Sequence, residues 1–354
     1  MHVPDGFINA PVSAAAGVVA AGAVAVSLRG ARRELDERTA PLAGLVAAFI
    51  FAAQMLNFPV AAGTSGHLLG GALAAILVGP FTGVLCLSVV LLMQGILFAD
   101  GGLTALGVNI TVMGVVTAVV GYAVFRGLVK VLPKKRPSVT VSAFVAALLS
   151  VPAAAAAFTL VYAVGGTTDV PIGQVLTAMV GVHVLIGIGE ATITALTVGA
   201  VIAVRPDLVY GARGLTAPLK LRVNGELVDA PAAPAQPVPV AARSPRKLLL
   251  AGLVTSLLLA GFVSFYASAN PDGLEKVAAD KGIDAQGEDH AAGDSPLADY
   301  GVQGITDTRL SSGLAGVIGV GVTVVAGSGV FWAVRRRRTG DTSPASTSDI
   351  PGNA

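Results

Sequence analysis

FTGVLCLSVVLLMQGILF, residues 81–98, carries no charge over its whole length. A run of that length and composition crosses the hydrocarbon core of a bilayer as one α-helix. Eight more apolar runs surround it, at about 10–28, 41–58, 67–79, 103–125, 139–165, 172–204, 247–268 and 312–334. In chain order the third of the nine is short, so it belongs in a thinned or protein-lined place. The seventh is long enough to tilt or to extend beyond the bilayer. The whole chain agrees with this reading: 54% of residues are hydrophobic, 12% are charged, and the mean hydropathy is +0.76. The expected fold class is all-α, a polytopic membrane helical bundle of about seven helices plus two further C-terminal transmembrane helices.

Lys and Arg orient these spans. With the N-terminus outside, 20 of the 23 basic residues fall on the cytoplasmic side, and only Lys276, Lys281 and Arg309 fall outside. The expected location is the bacterial plasma membrane, with the C-terminus cytoplasmic. Net charge is only +2, and the basic clusters are explained by topology, so no nucleic-acid partner is invoked. The single cysteine, Cys86, excludes an internal disulfide and any CxxC metal chemistry. The run at 12–28 is not a signal peptide, because Asp5 precedes it and Arg29 to Arg38 follow it. That order exports the N-terminus, and no cleavage is expected.

Composition divides the chain. Residues 1–204 form a compact membrane block with short loops. Residues 205–246 are a cytoplasmic linker whose stretch from Ala230 to Pro239 is rich in Pro and Ala. Residues 247–334 hold two spans separated by an acidic external loop at 269–311. Residues 335–354 form a cytoplasmic tail expected to be disordered. Gly17, Ala21 and Ala25 recur at four-residue spacing on the first helix, which suits either a docking face or simple Ala-rich filler.

Two polar stretches break the apolar pattern. Met1-His2-Val3-Pro4-Asp5-Gly6-Phe7 offers a terminal amine, the next amide nitrogen and an imidazole, which can close two small chelate rings on one ion. An α-amine has an ordinary pKa of roughly 7.7–8.0, so a metal can displace its proton near neutral pH. A tetragonal set of nitrogen donors suits Ni(II) or Cu(II), and Co(II) less strictly. The plainer reading is a chance His after the initiator, although the chain has only four His. Asn57 to Gly71, NFPVAAGTSGHLLGG, falls at the same outer face. Pro59 ends the second helix, while Gly63 and Gly66 permit a re-entrant loop that brings His67 beside the arriving N-terminus. His67 then supplies a fourth nitrogen. Asp5, Asn57, Thr64 and Ser65 are candidates to orient the imidazoles or hold the loop.

These two stretches together resemble the CbiM/NikM family, the substrate-capture components of energy-coupling-factor transporters for cobalt and nickel. Ser268 to Glu275, with Ser295 to Tyr300, is similar to the PDGLE domain fused to or accompanying such components as an N-type subunit. The resemblance covers roughly 1–204 and 247–334. It implies metal ligation by the Met1 amine, the His2 amide and imidazole, and His67. It implies Ni2+ or Co2+ as transported substrate, with no organic cofactor, and a link of the cobalt branch to cobalamin biosynthesis. It further implies a transmembrane coupling subunit and two ATPase subunits as partners within membrane lipid. No GxxxxGK[ST] stretch occurs in this chain, in keeping with ATP hydrolysis by partners.

His183 and Glu190 lie two helical turns apart in the seventh run, where ionisable groups are costly and default to function. They could orient the N-terminal arm, relay a proton or fix a helix contact, and His183 is a further candidate at or behind the metal ligands. An intramembrane enzyme using this pair, or a self-sufficient metal permease, are the competing readings. Gln94, Asp100 and Asn109 flank the outer ends of the fourth and fifth runs, with Gln94 and Asn109 as further candidates behind the ligands. His290 sits in the acidic loop beside Glu288 and Asp289, a solvated setting by default. Asn270 to Gly282 reads as a capped short helix.

Overall fold

The computed structural model describes residues 1–36, 39–61, 63–213, 220–223, 226–229 and 245–339. Seven of its helices are long and apolar enough to cross a membrane. They include α1 (Ala10–Glu34), α4 (Pro80–Leu97), α7 (Arg136–Gly165), α8 (Ile172–Val204) and α11 (Thr308–Thr339). A sixth is one continuous rod, Leu106–Val131, in which α5 (Leu106–Asn109) passes through a π-helical stretch at Ile110–Val116 into α6 (Thr117–Val131). The last is α9 (Arg246–Gly261), prolonged by a 3-10 turn to Tyr266. The protein is a multi-pass membrane protein.

The remaining two apolar runs are shorter than a full crossing. Helix α2 (Thr39–Gln54) stops five residues before Pro59, earlier than the proline rule suggests. Helix α3 (Gly71–Val78) has eight residues, all buried. Gly70 stands at its N-cap with φ +85°, a left-handed turn that lets the loop enter the bundle before the helix starts. Small residues let the neighbours close around it. A Cβ on Gly71 would collide with Thr117, and one on Gly83 would lie 2.8 Å from the Ala75 nitrogen. A short helix and a loop at membrane depth are tolerable because protein lines them on every side.

Between α2 and α3 the chain makes a two-residue hairpin, β1 (Phe58–Pro59) against β2 (Ser65–Gly66), with Gly63 at φ +72° in its turn. This hairpin stands where the re-entrant loop is expected. In the 205–246 segment the structure adds β3 (Lys220–Val223) antiparallel to β4 (Glu226–Asp229), where a plain linker is expected. The Pro/Ala tract and the tail beyond residue 339 lie outside the described residues.

The C-terminal unit docks on the first. Helix α11 runs along α2 so closely that a Cβ on Gly44 would collide with Ser328. The segment between α9 and α11 is not a free solvated loop. It carries α10 (Gly273–Lys281), capped by a reciprocal Asp272–Glu275 box and ended by Gly282 at φ +72°. Its backbone is stitched to the first unit by Ser268 N to Asn57 O (2.7 Å), Glu288 N to Asp5 O (3.1 Å) and Asp299 N to Phe98 O (2.9 Å).

Candidate metal site at the docked N-terminus

Residues 1–9 form an arm held by main-chain recognition. Asn109 grips Val3 from both sides, its Oδ1 accepting from Val3 N (2.8 Å) and its Nδ2 donating to Val3 O (3.1 Å). Asp5 accepts from the Leu103 and Thr104 amides (3.2 and 2.8 Å) and from the Thr104 hydroxyl. Gly102 N donates to Val3 O, and Asn9 caps α1 through Val12 N. Met1, Val3 and Phe7 are buried. This anchoring fixes the direction in which Met1 and His2 point.

They point at His67. The Met1 amine lies 2.7 Å from His67 Nε2, and the rings of His2 and His67 stack with centroids 5.1 Å apart. His67 Nδ1 donates to Leu68 O (3.0 Å), which leaves Nε2 to face the amine. The loop that carries His67 is clamped from below. Glu190, fully buried in α8, accepts from Leu69 N (2.6 Å) and Gly70 N (3.0 Å). Gln54 Nε2 donates to Leu69 O (3.0 Å).

Carboxylates hem in the nitrogen cluster. Asp272 binds the Met1 amine directly and stands 3.5 Å from His67 Nε2, while its other oxygen caps α10. Burial would push the Asp272 carboxyl up, but the ammonium and His67 outweigh it and hold it well below the usual carboxylate range. His2 Nδ1 lies 3.1 Å from Asp100 Oδ1, and His2 Nε2 lies 3.2 Å from Gln94 Oε1. Burial lowers the His2 imidazole to about 4 despite the pull of Asp100, and a neutral ring has one N–H to share between these two acceptors. Tyr300 closes the ring, donating to Asp100 Oδ2 (2.6 Å) and accepting from Gln94 Nε2 (2.9 Å). Burial first, then Asp100, raises the Tyr300 hydroxyl well above its ordinary value. A cleft of about 500 Å³ leads to this cluster, with Asp100, Asp272, Glu275 and Glu288 among its lining residues.

The sequence candidates thus separate by what they touch. Met1, His2 and His67 come together, with Gln94 on His2 and Asn109 and Asp5 on the arm. Ser65 and Thr64 turn elsewhere: Ser65 Oγ donates to Asn270 O (2.7 Å), its amide donates to Pro271 O (2.8 Å), and Thr64 O accepts from Val60 N. Asn57 borders the cleft, and its buried Oδ1 has no partner. His290 bonds Gly101 O at 3.2 Å instead of facing solvent. His183 and Glu190 do different jobs: Glu190 holds the loop, while His183 Nδ1 donates to Met179 O (2.7 Å). Among the described residues no three His, Cys, Asp or Glu side chains gather as a metal cluster. The donors assembled here are two imidazoles and main-chain nitrogens. Asp272 and Tyr300 are the contributors that sequence reasoning missed. Both stand in the quoted PDGLE-like stretches, but nothing local to those stretches points to residues 1–100.

The family model described as the cobalt uptake substrate-specific transmembrane region, CbiM, matches residues 2–208. The chain belongs to the CbiM family. A second model, the PDGLE domain, matches residues 246–336. A protein of Haloquadratum walsbyi is 40% identical over 210 residues, 59% of this chain and 94% of its own. The cobalt transport protein CbiM of Sorangium cellulosum is 33% identical over 59% of this chain and 94% of its own. The fused nickel transport protein NikMN of Rhodobacter capsulatus is 44% identical over 128 residues, 35% of this chain and 36% of its own. A crystal structure described as a truncated transition metal transporter superposes with TM-score 0.50 at 28% identity, over 57% of this chain and 99% of that one. This CbiM-family chain, with its PDGLE domain, is therefore a transport component of the CbiM/NikM type, a transporter and not an enzyme.

Proposed function

We propose that this chain is the ion-capture component of an ATP-driven energy-coupling-factor importer for nickel or cobalt ions. The ion is taken by the Met1 amine, the His2 amide nitrogen and Nδ1, and His67 Nε2. One observation carries the reading, the 2.7 Å approach of the Met1 amine to His67 Nε2. Two nitrogens bound at about 2.0 Å and at right angles to each other on one ion stand about 2.8 Å apart. The pair is therefore already spaced as neighbouring corners of a nitrogen square.

Loading exchanges protons for metal. The amine leaves Asp272, the His2 ring turns Nδ1 away from Asp100, and the amide nitrogen ionises as the metal binds it. Ni(II) suits the resulting plane and Co(II) follows, which agrees with relatives named for cobalt and for nickel transport. The acidic cleft gathers cations at the mouth of the site. The N-terminal side faces outward across the plasma membrane, by the Lys/Arg distribution, and the C-terminus lies in the cytoplasm. A transmembrane coupling subunit and two ATPases supply the energy that this sequence has no motif to harvest. Residues 1–204 are the capture domain, 205–246 the linker and 247–334 the appended PDGLE unit.

The test adds one residue before Met1, which turns the amine into an amide. Nickel and cobalt binding by the purified protein should fall at least a hundredfold. Binding at the parent level would end the reading. Copurification of coupling and ATPase subunits from the native membrane should accompany uptake; uptake by this chain alone in vesicles would favour a self-sufficient permease.

A further inference from the structure

His183 is buried in α8 at 1% exposure, and its Nε2 has no hydrogen-bond partner. With Nδ1–H committed to Met179 O, the neutral ring carries its lone pair on Nε2. A buried lone pair without a donor is an uncompensated cost unless something fills the place it faces. His183 borders a small space of about 10 Å³, whose other lining residues include Met1, His67 and Asp272. Space of that size holds about one water-sized particle. It is kept open by glycine: a Cβ on Gly273 would lie 3.0 Å from His183 Cε1 and 2.8 Å from Ile186 Cδ1.

We propose that His183 Nε2 is a fifth nitrogen donor to the captured ion, reaching it from outside the plane of the other four. The inference rests on the four-nitrogen reading and refines it toward metal choice. Met1, which carries the amine, and His67 line the small space together with His183. A fifth donor of this kind gives little to a strictly square-planar nickel ion, which has no vacancy of low energy off its plane. Cobalt(II) accepts such a donor readily. His183 therefore raises cobalt affinity relative to nickel affinity at a site whose plane favours nickel.

The test uses the purified full-length chain loaded with Co(II) or Ni(II) alone, as the parent and as His183→Phe, which keeps the ring volume and removes the lone pair. A second variant, His183→Gln, offers an oxygen in place of the nitrogen and serves if the Phe form does not fold. The expected result is a changed Co(II) absorption and electron paramagnetic resonance spectrum in both variants. Cobalt affinity should fall at least tenfold in His183→Phe, with nickel affinity changed less than threefold. Coincident Co(II) spectra for parent and variants overturn the proposal. The N-terminally extended chain is measured alongside. If it binds and reports cobalt like the parent, the four-nitrogen reading itself has failed. If only the His183 variants match the parent, the fifth donor alone has failed.

Discussion

The carboxylate of Asp272 is bonded to the amine of Met1, joining two residues 271 positions apart at one buried point. The same side chain caps α10 through Leu274 N (2.7 Å) and Glu275 N (2.9 Å). Asn can keep a cap, but it cannot balance a buried ammonium. Asp272→Asn should therefore free the N-terminal arm and leave α10 intact, while Asp272→Ala should disturb both and cost about 1 kcal/mol at the helix. Hydrogen exchange at Val3 should quicken at least tenfold in both variants, and at Leu274 and Glu275 only in the Ala form. An arm still fully protected in the Asn form would show that the ion pair does not hold it.

Glu190 satisfies two main-chain donors of the His67 loop with two oxygens. In Glu190→Gln a single acceptor oxygen remains, and one buried N–H is left unpaired at about 1–3 kcal/mol. His67 then loses its fixed height. Nickel or cobalt affinity, read by titration calorimetry, should weaken about tenfold or more while the helical content stays constant. Unaltered affinity would remove Glu190 from any part in positioning His67.

Acid should loosen the metal-free arm through His2. Its folded-state pKa is lowered from 6.5 to about 4, so an undocked arm binds the proton first. Docking is thus unpenalised above pH 6.5, and the penalty grows as pH falls toward 4, reaching about 3 kcal/mol. Protease cleavage within residues 1–9 should rise across that window, and His2→Phe should flatten the rise. Equal pH profiles for parent and variant would contradict the assignment.

Gly102 lies where the arm crosses the segment after α4. A Cβ there would collide with the Asp5 main-chain nitrogen and crowd its carboxylate. Gly102→Ala should push the arm outward and lower ion affinity at least tenfold. Gly22→Ala, on the open side of α1 with nothing within 4 Å, should leave binding unchanged. Parent-like affinity in Gly102→Ala would mean that the arm tolerates displacement.

Much of this was legible from one dimension. Uncharged runs announce long helices, and α8 matches its expected limits because Pro171 precedes the apolar run and Arg205-Pro206 closes it. His2 and His67 stood out because their neighbours are apolar or small. The protein-lined place of α3 was legible in its short run, but its start at Gly71 was not, since hydropathy does not mark where the incoming loop ends and the helix begins. The π-helical stretch at 110–116 leaves no mark in composition. The β3–β4 hairpin was overlooked although its strands flank Asn224-Gly225, a dipeptide favoured in such turns. The capped helix within Asn270 to Gly282 was legible, but the reach of Asp272 to Met1 joins residues too far apart in the chain for any local signal to show.

Ser65 donates to the carbonyls around Pro271, and Asp272 reaches Met1, all within one polypeptide. Such contacts between separate chains would obey mass action and thin out with dilution or uneven synthesis. Here the tether fixes a local abundance on the order of millimolar whatever the cell makes. Each molecule therefore leaves the ribosome with its stoichiometry settled, and the acid that greets the first residue is never in short supply.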